Sequence, residues 1–270
     1  YCNSIINLGV SGGTLEDYFA FSNMLLENKH NINTIVFGID PWSLKFNSDS
    51  RWNKIKNDFD KMKNRLEITQ QHPNNSYAIS LALNLINLEY LTKSFEKLTV
   101  EKEKEKEKEK EKESFKHVKK FNQNKAINGT SVTLPDGGWQ YSAEYTNRSK
   151  LFTKKFKGMH DYKISQINGK WYEESAINDL TSLIELLKPK FDIMFVMTPY
   201  HPKVWETQQP TIEAMKSVED RVHMLAKQLN ITVIGTYNPT KIGCFEGEFF
   251  DAMHPTPKCL KKLERKTVIN

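Results

Sequence analysis

Apolar positions along the chain follow two rhythms. Thr34–Ile39, Phe191–Met197 and Ile231–Gly235 are short, nearly unbroken apolar runs. They read as strands buried on both faces, as a parallel sheet requires. Ser4–Leu8, which runs into glycines, reads as one more short strand. Helical spacing fills the intervals. Thr14–Lys29 opens on a Thr14/Asp17 pair that resembles a capping box and sets Leu15, Tyr18, Ser22, Leu25 and Leu26 on one face. Trp52, Ile55, Phe59, Met62 and Leu66 mark a second helix, and Ser76–Leu98 predicts another. Ile177, Leu180, Ile184 and Leu187 mark the helix before the second long strand. Ile212, Met215, Val218, Val222, Leu225 and Leu229 mark the one after it. Pro257–Lys266 predicts a closing helix, and Val132–Tyr141 a hairpin turning at Pro135, Asp136, Gly137 and Gly138.

Strand and helix in alternation predict an α/β fold with a parallel, doubly wound sheet. Residues 41–170 interrupt that alternation. They read as a helix-rich insertion packed over one end of the sheet, within a single domain spanning 1–270. Glu101–Glu113 alternates Glu and Lys, seven of one and six of the other, which is 6 − 7 = −1 in charge. Period two sets like charges at i,i+4 and opposite charges at i,i+3, and leaves nothing apolar to bury. The run is a solvated, low-complexity segment without chemistry.

Composition narrows the classes. The chain has 270 residues, 38% of them hydrophobic, enough for a sizeable core. The net charge of 39 − 33 = +6 is mild and argues for no nucleic-acid partner. No apolar run approaches the roughly 20 residues of a membrane helix. Cys2, Cys244 and Cys259 are too few and too scattered for a disulfide framework or a metal site. Cys244 and Cys259 are expected to be free buried thiols. No metal or organic cofactor is implied.

In parallel sheets ligands sit at the carboxyl ends of the strands. Four Gly- and Pro-punctuated loops follow the expected strands, and one carries Asp251-x-x-His254-Pro255. A carboxylate three residues before a histidine can turn back to hold the Nδ1–H of the imidazole, fixing its tautomer and stabilising the imidazolium. A helix cap beside a surface histidine explains the same spacing. Gly9, Gly12 and Gly13 sit at a strand-to-helix turn, where backbone N–H groups could hold an oxyanion or a phosphate, or where a tight turn needs glycine. Tyr200 and His201, after the second long strand, are candidates to line a substrate cleft. Trp42, Trp52, Trp139, Trp171 and Trp205 could stack on sugar rings, though core anchoring is the commoner use.

Together, Asn7-x-x-x-Ser11-Gly12-x-Thr14 and Asp251-x-x-His254-Pro255 resemble the second and last conserved blocks of the SGNH (GDSL-type) hydrolases. Gly38-Ile39-Asp40 falls where that family carries a Gly-x-Asn block. The wording around Asp40, Asp136 and His254 resembles SGNH-like proteins encoded with bacterial surface-polysaccharide genes. The resemblance implies a three-layer α/β/α, flavodoxin-like sheet. It implies His254 as general base, Asp251 as its orienting carboxylate, and the Gly12 N–H as an oxyanion donor. Asp40 stands at the family's second donor, and an ionised carboxylate cannot donate.

The family's serine lies before the Asn-x-x-x-Ser-Gly block, so the nucleophile and first strand are expected upstream of Tyr1, with this chain alone inactive. The implied activity is serine-dependent ester hydrolysis or O-acyl transfer on a cell-surface polysaccharide. The substrate would be an acylated glycan or small ester, and the site extracytoplasmic or tethered to a membrane upstream. Two other readings fit the sequence. One is a non-catalytic SGNH-like protein that binds glycan or assists polysaccharide assembly. The other is a flavodoxin-like domain binding phosphate or nucleotide at Gly9–Gly13.

Overall fold

A computed structural model describes residues 6–9, 12–27, 32–45, 52–67, 132–133, 139–140, 170–207 and 209–263. The chain divides into two compact units, and all of these residues belong to the one formed by Tyr1–Asn47, Arg51–Thr69 and Ala126–Asn270. The predicted helix at Ser76–Leu98, the Glu/Lys run and most of the 41–170 insertion lie outside the described residues.

The elements begin with α1 (Leu15–Glu27), β1 (Thr34–Gly38) and α2 (Trp52–Arg65). A small hairpin follows, β2 (Val132–Thr133) and β3 (Trp139–Gln140), then α3 (Glu174–Leu187) and β4 (Asp192–Met197). The last part holds α4 (Pro202–Thr207), α5 (Gln209–Leu229), β5 (Thr232–Gly235), α6 (Pro239–Ile242), a 3-10 turn at Glu246–Glu248, and α7 (Pro257–Leu263). The Thr14 N–H donates to Asp17 Oδ2 at 2.8 Å, so the side chain expected to cap α1 satisfies a donor that the helix cannot. β2 and β3 pair antiparallel, Val132 with Gln140 and Thr133 with Trp139.

β1, β4 and β5 form an open three-stranded parallel sheet in that order, with helices between them in sequence, so the fold is of α/β type. Register sets which face is filled. Ile35 lies opposite Ile193, and Phe37 opposite Phe195, which in turn faces Val233. All of these are buried and join Leu15 and Phe19 of α1, Phe59 and Met62 of α2, Leu180 and Ile184 of α3, and Val218 and Val222 of α5 in one core. Edge-to-face rings at Tyr18–Phe37 and Phe37–Phe195 continue that packing.

Two sequence expectations need correction. The strands were expected to be apolar on both faces, but β1 alternates exposed and buried, with Val36 54% exposed. Among the described residues its second face is open, while Ile234 of β5 is covered by a small cluster of Ile242, Cys244, Phe249, Cys259 and Leu263. The expected strand at Ser4–Leu8 is not formed over its described part, residues 6–8. Ile6 and Leu8 face solvent, and Asn7 Oδ1 accepts the Gly9 N–H at 2.8 Å. A side chain that captures a nearby backbone donor competes with a sheet ladder.

Candidate functional site

The carboxyl ends of the three strands are stitched together by backbone and tyrosine hydrogen bonds. The Tyr237 hydroxyl donates to Ile39 O at 2.9 Å, joining the end of β5 to the end of β1. The Tyr200 N–H donates to Tyr237 O at 3.0 Å, tying in the end of β4. The Tyr18 hydroxyl donates to Gly38 O at 2.6 Å, bringing α1 to the same edge. Buried Glu219 of α5 accepts from the Thr236 hydroxyl at 2.7 Å and from the Tyr237 N–H at 3.0 Å, and pairs with Lys241 at 3.1 Å. It therefore organises the turn after β5. Gly235 in that turn has φ +85°, and a Cβ there would lie 2.2 Å from Met197 O, so only glycine fits beside β4.

On this frame hangs the loop that carries Asp251 and His254. An isolated bridge between Phe249 and Pro255 closes it, and the Phe250 N–H donates to His254 O at 2.8 Å. The His201 N–H donates to Ala252 O at 2.9 Å and connects the loop to the end of β4. Asp251 Oδ1 accepts the Met253 and His254 N–H groups at 2.8 and 2.9 Å. Its second oxygen, Oδ2, lies 2.7 Å from His254 Nδ1. The carboxylate thus turns back on the imidazole instead of capping α7, which starts at Pro257. The hydrogen bond to Asp251 raises the His254 pKa above 6.5, against a smaller lowering by burial, and Asp40 adds to the rise. Because the folded value is the higher one, the pair's stabilisation is complete below pH 6.5 and is lost as pH rises through the raised value.

Asp40 follows β1 and is half-buried. Its own N–H donates to Ser43 Oγ at 3.0 Å, and the Tyr200 hydroxyl donates to its Oδ1 at 3.5 Å. Burial raises its pKa to about 6, partly offset by the His254 charge and the Tyr200 hydrogen bond. Asp40, Tyr200, Asp251 and His254, named separately from three loops, therefore share one charged locus. Between about pH 6 and the raised His254 value, Asp40 is ionised while the imidazole is protonated.

The other candidates fare differently. His201 is 0% exposed, so it does not line an open cleft. Its Nδ1 accepts the Lys203 N–H at 3.1 Å, its ring meets Phe249 edge-on, and burial lowers its pKa. Tyr200 is likewise buried and acts through its hydroxyl on Asp40. Gly12 has φ +66°, the left-handed conformation that favours glycine at this turn. Ser4 and Ser11 lie outside the described residues. Trp42, Trp171 and Trp205 pack against the core, with Trp205 Nε1 donating to Tyr237 O at 3.0 Å. The side chains of Trp52 and Trp139 lie outside the described residues.

The expectation of free thiols is overturned, because Cys244 and Cys259 form a disulfide across 15 residues. It joins Cys244, just past the Gly243 cap of α6, to α7 and so brackets the loop of Asp251 and His254. Sequence reasoning also missed Glu219, Tyr237 and Ser43. A carboxylate at an apolar helical position, three residues before Val222, was the one available signal for Glu219. Among the described residues no cluster of His, Cys, Asp and Glu could hold a metal ion, and no helix is long and apolar enough to cross a membrane. No protein-family model matches this chain, and neither curated proteins nor solved structures show a significant match to it.

Proposed function

We propose that this chain carries the acid–base half of an SGNH-type serine esterase or O-acyltransferase that acts on O-acyl groups of a cell-surface polysaccharide. The observation that carries the reading is the Asp251–His254 contact of 2.7 Å at the carboxyl end of a parallel sheet. With Nδ1 committed to Asp251, Nε2 is the nitrogen left to take a serine proton. The serine is supplied from outside the described residues. Its Oγ attacks the acyl carbonyl carbon while His254 takes the proton. Collapse of the tetrahedral adduct breaks the bond to the sugar oxygen, which takes that proton from His254 and leaves as a hydroxyl. Water or a second hydroxyl then releases the acyl group.

The rest of the reading builds on the same end of the sheet. Protonated, Asp40 would donate to the developing oxyanion. Ionised, it would oppose it. Among the described residues the second face of β1 is uncovered and its outer edge pairs with no strand, which would suit a third layer and a further parallel strand. The disulfide favours an oxidising, extracytoplasmic setting. Segment 41–170, expected from its sequence pattern to be helix-rich, would then be an insertion into this domain.

The test uses the protein translated from the complete coding sequence, assayed on p-nitrophenyl acetate and on an O-acetylated polysaccharide. His254→Ala should cut turnover by roughly 10³-fold or more, the scale of losing a triad member. An unchanged rate in His254→Ala would remove the catalytic reading. A second reading, non-catalytic glycan binding, is favoured by one observation, the Asp40 carboxylate where a neutral donor is needed. Glycan binding without turnover, unaffected by His254→Ala, would support it.

A further inference from the structure

Between Asp251 and His254, Ala252 joins the main core and Met253 packs against it, while the chain flanking the pair is held elsewhere. It rests on a satellite cluster of five buried side chains, Ile242, Cys244, Phe249, Cys259 and Leu263, and two of those five are the bridged cysteines. Glu248 supports it from within. Its carboxylate accepts the Phe245 N–H at 3.1 Å and lies 2.5 Å from Lys262 Nζ. Burial pushes the Glu248 pKa up, but these partners and Lys258 outweigh it, and the net shift is downward. The Thr256 N–H donates to Glu248 O at 2.8 Å. The His254 side chain has no comparable enclosure, being 48% exposed, against 25% for Asp251. An ion pair this open to water contributes little to its own placement. The placement therefore depends on what holds the loop, namely Ala252 in the main core, the His201 N–H on Ala252 O, and the closure of the flanking chain.

We propose that the Cys244–Cys259 disulfide completes the positioning of the Asp251–His254 pair, so that the contact within the pair is lost where protein thiols are reduced. The bond ties the left-handed turn at Gly243, which ends α6, to α7. The chain between these anchors carries the Phe249–Pro255 bridge and the Phe250 and Thr256 hydrogen bonds that shape the loop, and the His201 N–H reaches it from outside at Ala252 O. Cutting the bond returns loop-closure entropy to the segment and removes the covalent tie between two of the five side chains under it. Reduction by a dithiol proceeds by two thiol–disulfide exchanges through a mixed disulfide. It delivers two electrons and two protons to the cysteines and leaves the dithiol as its cyclic disulfide.

The proposal concerns the pair itself, and its test reads the pair and not turnover, so its failure is distinct from failure of the ester reading. The full chain is prepared under oxidising conditions, and its peptides are mapped without reduction. The His254 ring is titrated by NMR in three samples: the oxidised protein, the same protein after complete reduction with dithiothreitol, and a Cys244→Ala/Cys259→Ala variant. The charged groups facing that ring are Asp251 and Asp40.

The expected result is linked Cys244 and Cys259 peptides and a His254 midpoint above 6.5 in the oxidised protein. In the other two samples the midpoint falls back toward 6.5 while the far-UV spectrum holds. Three results overturn the proposal: unlinked peptides, a midpoint unmoved by complete reduction, or collapse of the whole far-UV spectrum. The last would make the bridge a global staple. If the double variant does not fold, the reduced wild-type protein decides alone.

Discussion

The two faces of the three-stranded sheet are built on different terms. On one, Ile35, Phe37, Ile193, Phe195 and Val233 meet α1, α3 and α5 in a continuous core. On the other, Ile234 is covered by the disulfide-bearing cluster, while Val36 in β1 remains 54% exposed. The filled face derives its stability from buried apolar area, which needs no particular geometry. The second face closes at β5 alone among the described residues, through a covalent tie and a handful of side chains that flank the Asp251–His254 loop. The loop joins the two faces, since Ala252 between the pair belongs to the filled core.

This contrast predicts a graded response to substitution. Phe195→Ala, on the central strand of the filled face, should cost about 3–5 kcal/mol in urea unfolding through lost burial and an unfilled cavity. A loss below about 1 kcal/mol would mean that this face is not the dominant core. Asp40, at the carboxyl end of β1, should give an intermediate effect of opposite sign. Its folded pKa of about 6 lies above the ordinary 3.8, so burial favours the neutral form, and the fold loses that advantage as pH rises between the two values.

Asp40→Asn removes the ionised burden. It should stabilise the fold at pH 7 by about 1–2 kcal/mol after discounting for partial exposure, with the gain shrinking toward pH 4. Urea midpoints measured at both pH values check this, and a pH-independent difference would refute it. Val36→Thr keeps a β-branched shape and should change stability by less than about 0.5 kcal/mol if the second face of β1 is open. A loss above about 1.5 kcal/mol in the same assay would show that something covers that face.

Much of the architecture was legible in residue order. The three parallel strands, the Thr14/Asp17 start of α1 and the helices of the core follow from periodicity and capping, which are local properties. The three-residue spacing of Asp251 and His254 also foretold their contact, because a carboxylate can turn back over so short a span. Over residues 6–8 the expected Ser4–Leu8 strand is not formed, because apolar residues alone look strand-like whereas Asn7 folds locally onto the Gly9 N–H. His201 looked available because it follows a strand beside a proline. Its burial depends on Phe249 and Ala252, about fifty residues away.

What the sequence by itself determined is therefore what short range dictates: the apolar periods, the helix start at Thr14 and the Asp251-to-His254 reach. The tertiary structure alone decided which face of β1 is filled, since register with β4 and β5 selects it. It also decided that Cys244 and Cys259 approach to a Cα separation of 5.4 Å and bond. Finally, it brought Asp40 and Tyr200 to the same locus as His254. These are meetings of residues far apart in the chain. Their cause is the packing of strands and helices, to which no local pattern has access.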